Sequence, residues 1–233
     1  MSDDTGDSGA AAPSPRASRL FNVPPVVAAT AAVLAAFFFA SIVAPRLVLW
    51  LAGGEPGFSP VRFFAGPAAS GGAVKWLSPL FTHMLIHANL PHLLFNTLWL
   101  VVFGAPLARR LRSAARFLVF FALCGAAGAI VYALFNANDL AILVGASGGV
   151  TGLLGGIVRF AFQNPPRGVA PRHRVPLSDS SVIAWSSAVL VINASVAFIG
   201  PGFGAGEADV AWQAHIGGYL FGLFAFPLFD RRR

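Results

Sequence analysis

Two reactive side chains sit inside long apolar stretches of this chain: Ser147 in Gly145-Ala146-Ser147-Gly148-Gly149 and His215 in Ala214-His215-Ile216-Gly217-Gly218. Ionisable and nucleophilic groups are unfavourable at membrane depth and usually mark function where they occur. Each lies about seven residues into its run, which at ~1.5 Å of helical rise per residue puts both roughly 10 Å below a membrane surface. If the two segments enter from the same side, a hydroxyl nucleophile and an imidazole base share one depth.

The neighbouring glycines could bring them together. One segment carries Gly148, Gly152, Gly155 and Gly156, and the other carries Gly218 and Gly222. Small residues at such intervals let membrane helices approach closely. His215, Gly218 and Gly222 fall at i, i+3 and i+7, so the histidine shares the glycine face, and Ser147 borders the glycine face of its own segment. Either motif alone reads as helix packing with an incidental serine; the two together favour chemistry.

Other catalytic constellations fare worse. None of the nine Asp and Glu residues falls in the core of an apolar run, which leaves a Ser-His dyad rather than a triad and argues against a paired-aspartate protease. His83-Met84-Leu85-Ile86-His87 lacks the glutamate of a His-Glu-x-x-His zinc site. A zinc at His83, His87 and His92 would lack an evident fourth ligand, so neither metal nor cofactor is expected. Structural hydrogen bonding is the expected role of His83 and His87, and His173 reads as solvated.

The elements that must position these residues are membrane spans. The chain has 233 residues, is 56% hydrophobic and 11% charged, and has a mean hydropathy of +0.71, which excludes an ordinary soluble domain. Apolar runs at about 25–45, 90–107, 115–136, 140–162, 180–200 and 208–229 are each long enough to cross a ~30 Å hydrocarbon core. The net charge of +7 comes from arginines between these runs, which fits cytoplasmic loops rather than a nucleic-acid face. Placing both termini in the cytoplasm collects thirteen of the sixteen basic residues there, leaving Arg46, Arg62 and Lys75 outside. The 140–162 and 208–229 runs then both enter from the outer face.

Residues 1–22 read as a polar, disordered cytoplasmic tail, 23–230 as an all-α six-span membrane domain, and 231–233 as a basic end. The first apolar run exceeds the 7–15 residues of a signal-peptide core, so an uncleaved span is expected. The stretch 46–89, with Trp50, Phe58, Phe63, Phe64 and Trp76, reads as a long outer loop lying in the interface. Asn89 and Pro91 signal a helix start, which puts His92 in the first turn and Asn96 one turn deeper on the same face. Cys124, the sole cysteine, reads as a core residue.

Together, Gly145-Ala146-Ser147-Gly148, Ala214-His215-Ile216-Gly217-Gly218 and His87-Ala88-Asn89-Leu90-Pro91-His92-Leu93-Leu94-Phe95-Asn96 resemble the rhomboid intramembrane serine proteases over about 76–229. The resemblance implies a six-helix bundle, Ser147 as nucleophile, His215 as general base, and His92, Asn96 and the Ser147 amide as oxyanion donors. Gly148, Gly152, Gly218 and Gly222 are the expected packing positions. Three positions depart from the family pattern. Thr151 stands where an aromatic residue often supports the histidine, Leu77-Ser78-Pro79 replaces a Trp-Arg pair, and Ala108 replaces a glutamate. These departures concern loop anchoring and the holding of His215, and leave the dyad and oxyanion residues intact.

The function implied is an endopeptidase of a bacterial inner membrane that cuts transmembrane proteins near their outer ends. Its expected partners are those substrates and the lipid bilayer, with no nucleic acid. The alternative is an inactive rhomboid-like binder or chaperone of membrane proteins, but such a protein needs neither Ser147 nor His215. A transporter is disfavoured by the lack of repeats and of buried acids.

Overall fold

The computed structural model describes residues 23–51, 54–55, 57–162, 174–199 and 211–231, and among these the regular structure is helical. The expectations for the tail at 1–22 and for His173 lie outside the described residues. Among the described residues, three helices are long and apolar enough to cross a membrane: α1 (Pro25–Val43), α6 (Leu90–Leu111) and α7 (Ala114–Phe135). Between α1 and α6 lie α2 (Pro45–Leu51), α3 (Pro60–Ala69), α4 (Ala73–Leu77), α5 (Pro79–Thr82) and a 3-10 turn, His83–Leu85. The chain continues through α8 (Ser147–Val158), α9 (Ser180–Ile199) and α10 (Trp212–Phe229).

Local chemistry sets the helix ends. Asn89, in extended conformation, caps α6 by accepting from the His92 amide at 2.8 Å, with Pro91 in the first turn. Arg112 adopts the left-handed conformation (φ 53°) to end α6, and Ser113 then caps α7 through the Arg116 amide. The ends of α6, α7 and α10 are tied together. Arg110 donates to both carboxylate oxygens of Asp230, at 2.7 and 3.2 Å, and Arg116 donates to the Phe229 carbonyl. Arg110 also covers the Phe160 ring just past α8, 5.1 Å from its centroid. The far ends of α6, α8 and α10 therefore share one side of the protein, and their beginnings share the other.

Burial follows the neighbours. On α1 only Val27, Leu34 and Phe38 are buried, as one stripe, while Phe39, Ile42 and Val43 are exposed. Such a face suits lipid. On α8, by contrast, every residue from Gly148 to Val158 except Thr151 is buried. It is the central helix, packed against α6, α7 and α10.

The run at 140–162 differs from its expected form. Helix begins only at Ser147 and ends at Val158, twelve residues, or roughly 18 Å at ~1.5 Å per residue, too short for a ~30 Å core. Residues 139–144 are irregular instead, and the chain leading to Ser147 bonds to the 46–89 stretch. Phe58 and Leu143 exchange two backbone hydrogen bonds of 2.9 Å, and the Gly145 amide donates to the His83 carbonyl at 2.9 Å. Non-helical backbone at membrane depth is tolerated where protein supplies such partners. Ser147 thus stands at the head of a helix and not seven residues inside one.

The 46–89 stretch is itself folded. Trp76 stacks on Phe63 at 5.5 Å and donates its indole N–H to the Phe63 carbonyl at 2.8 Å. Arg62 pairs with Glu55 at 2.5 Å. Phe58 is fully buried against the α7 side of the core. Where the Trp-Arg pair is missing, these contacts anchor the segment.

Candidate active site

Ser147 is the first residue of α8, so the amides of that turn have no partner within the helix. Such an end carries a partial positive charge and points N–H groups at any anion placed before it. The approach to Ser147 turns at Gly145, whose φ of 103° is a left-handed conformation that favours glycine. The same glycine leaves room for His92: a Cβ there would sit 2.6 Å from the His92 Nε2. The structure therefore brings the His92 ring against the turn that carries Ser147.

His215 lies in the first turn of α10, and the α8–α10 contact is made of backbone. A Cβ on Gly218 would overlap the Gly148 carbonyl, and one on Gly222 would overlap the Gly152 carbonyl. The pairing 148 with 218 and 152 with 222 makes α8 and α10 parallel neighbours at glycine-on-glycine distance. Cys124, fully buried, fills the α7 side beside Gly152. Gly148 also abuts the Ala214 carbonyl, so the first turns of the two helices touch where Ser147 and His215 emerge, both half-buried.

Thr151 reinforces this junction. Its hydroxyl lies 2.9 Å from the Ser147 carbonyl and 3.0 Å from those of Gly148 and His215, and it can donate to one of the three at a time. The residue that replaces the usual aromatic thus ties the backbones of α8 and α10 together.

Asn193, on α9, escaped the sequence reading. Its Oδ1 lies 3.0 Å from the His215 Nδ1, and its Nδ2 donates to the Val189 carbonyl at 2.8 Å. Asn193 is buried, at 7% exposure. The available signal was the one carboxamide in the 180–200 run, a polar group of the kind that is costly at membrane depth.

Asn96 lies one turn below His92 and is buried; its amide donates to the His92 carbonyl at 2.9 Å, and its Oδ1 has no protein partner. His87 packs edge-on against His92 at 5.2 Å, with both ring nitrogens buried and unpartnered. Buried polar atoms of this kind mark places where water or a ligand group can bind. His83 points elsewhere: its Nδ1–H donates to the Pro79 carbonyl at 2.9 Å. Among the described residues, no three of His, Cys, Asp and Glu are grouped to hold a metal ion.

The rhomboid domain family matches residues 75–232, which include all three motif regions. The chain belongs to the rhomboid family. It is 31% identical over 146 residues to the rhomboid protease GluP of Bacillus subtilis (strain 168), an alignment covering 63% of this chain and 25% of that protein. It is 36% identical over 137 residues to the putative rhomboid protease YdcA of the same organism, covering 59% of this chain and 61% of that one. The chain thus spans a quarter of one relative and about three fifths of the other. The resemblance carried by the motifs is a family relationship, and as a rhomboid the chain is a membrane protein.

Proposed function

We propose that this rhomboid is an intramembrane serine endopeptidase with a six-crossing membrane domain, cutting transmembrane proteins near the outer face. The observation that carries the reading is the contact between the first turns of α8 and α10, through Gly148, Gly218 and the Ala214 carbonyl, with Ser147 and His215 on those turns. Ser147 Oγ attacks the scissile carbonyl while its proton passes to the His215 Nε2. The oxyanion formed is met by the Ser147 amide at the head of α8 and by donors from His92 and Asn96. His215 then protonates the leaving amine, the C–N bond breaks, and an acyl-enzyme ester remains. A water attacks the ester as its proton passes to His215, which then returns that proton to Ser147 Oγ as the C–O bond breaks and the new carboxyl end leaves.

The arginines support the orientation. Arg110 and Arg116 lie at the end of the bundle remote from Ser147, and positive residues favour the cytoplasm. The site then opens toward the outer face of a bacterial plasma membrane, with both termini cytoplasmic. A substrate span must unwind locally before attack, because its carbonyls are hydrogen-bonded and shielded.

The test is cleavage of a model single-span substrate by the purified protein in proteoliposomes, with fluorophosphonate labelling alongside. Ser147→Ala and His215→Ala are each expected to reduce cleavage to background and abolish labelling, and their losses should not add in the double variant. Full cleavage by Ser147→Ala would end the serine-protease reading.

A further inference from the structure

We infer that Asn193 is the positioning residue of His215: it holds the imidazole in the one neutral tautomer, and the one orientation, that can take a proton from Ser147. The inference rests on the protease reading above for its catalytic consequence, but its structural content stands by itself. The Asn193 amide is oriented by its own helix. Its Nδ2 donates to the Val189 carbonyl at 2.8 Å, which turns Oδ1 toward His215 Nδ1, 3.0 Å away. A carboxamide oxygen can only accept. Nδ1 must therefore carry the hydrogen, and in the neutral ring Nε2 is left with its lone pair. That is the nitrogen a serine proton needs.

The rest of the surroundings leaves this task to Asn193. Thr151 fixes the His215 backbone through its carbonyl and does not reach the ring. Gly217 and Gly218 present no side chain beside it. In serine proteases a carboxylate does this work, holding tautomer and orientation and stabilising the imidazolium. A neutral amide provides the first two without placing an ionised acid at membrane depth, where charge is costly. The hydrogen bond also crosses between helices, because Asn193 belongs to α9 and His215 to α10. On the same face of α9 lie the buried Val182 and Val189 and the half-buried Ser186, whose hydroxyl lies 2.8 Å from the Tyr219 hydroxyl.

The experiment uses the full chain in detergent micelles, with 15N-labelled histidine and the resonance of His215 identified by its loss in His215→Ala. Wild type is expected to show His215 as the neutral Nδ1–H tautomer. Asn193→Leu, nearly isosteric, should give a mixture with Nε2–H and lower kcat by roughly 10- to 10²-fold, the scale of a misoriented catalytic group, with KM little changed. Asn193→Asp keeps an acceptor oxygen and should restore the Nδ1–H signature and most of the turnover. A wild-type ring protonated on Nε2 would overturn the inference even if Asn193→Leu failed to fold. An Asn193→Leu protein whose His215 tautomer is unchanged would overturn it too, whatever its kcat. Ser147→Ala separates the two ideas: cleavage surviving that change removes the protease reading, while the tautomer result still decides Asn193.

Discussion

Ser147 and His215 are held in opposite ways. Ser147 sits on main chain: a tight turn at Gly145, the Gly145 amide bonded to the His83 carbonyl, a two-bond bridge from Leu143 to Phe58, and a helix buried along its length. The His215 backbone is pressed against α8 by glycine contacts, yet its ring is oriented by one side chain from α9. That helix is thinly packed. Val182, Val189 and Asn193 are buried, whereas Ile183, Leu190, Val191 and Ile192 are 48–63% exposed. Main-chain contacts leave little to adjust, so Ser147 is placed rigidly, while the His215 ring depends on how α9 sits. In a packed interior, rigidity follows the number of close neighbours, and the two regions differ in just that respect.

After the loss expected of Ser147→Ala and His215→Ala, the largest effect should come from the side chain that reaches the Ser147 turn. His92→Ala, or Asn96→Ala beneath it, is expected to lower turnover by on the order of 10²–10³ if these groups meet the oxyanion. KM should hardly move, because such contacts act in the transition state. Steady-state cleavage kinetics check this, and a change confined to KM would assign both residues to substrate binding instead.

A paired substitution sharpens the comparison itself. Gly222→Ala puts a methyl into the Gly152 carbonyl, where only backbone could yield, so destabilisation of about 1–3 kcal/mol or more is expected. Ile192→Ala, on the exposed side of α9, should stay within about 0.5 kcal/mol in a suitable lipid or detergent. Thermal denaturation of the two variants reads the difference. Equal losses would mean that α9 is as tightly packed as the α8–α10 seam.

A pH-dependent effect concerns the segment that holds the Ser147 turn. Burial lowers the His83 pKa from 6.5 to about 4, and burial with the nearby His92 does the same for His87; both lie outside the membrane-spanning helices. Their folded pKa values lie below the unfolded ones, so the unfolded chain binds more protons between about pH 6.5 and 4. Stability should therefore fall as pH drops through that window and level off below it. Denaturation midpoints from pH 7.5 to 4.5 should show this slope, and His83→Gln should flatten part of it.

Much of this protein can be read without coordinates. Apolar run length marks the spans at 25–45, 90–107 and 115–136, because a bilayer demands about twenty apolar residues wherever it is crossed. Asn89 and Pro91 mark the start of α6 because capping is local chemistry. The intervals of Gly148, Gly152, Gly218 and Gly222 state which faces can approach closely. Ser147, His215, His92 and Asn96 stand out as polar groups in apolar surroundings. What only the tertiary structure decided depends on partners distant in the chain. The 140–162 run reads as one helix because protein interior and lipid ask for the same apolar side chains. Its break before Ser147 needs Phe58 and His83 to satisfy the backbone that a helix would have satisfied itself. The support of His215 was hidden for a related reason. Asn193 and Thr151 are 22 and 64 residues away from it in the chain, and a hydrogen bond between helices leaves no period in either sequence. Composition and spacing report what each segment must bury; which side chain meets which across a helix interface is settled only when the helices pack.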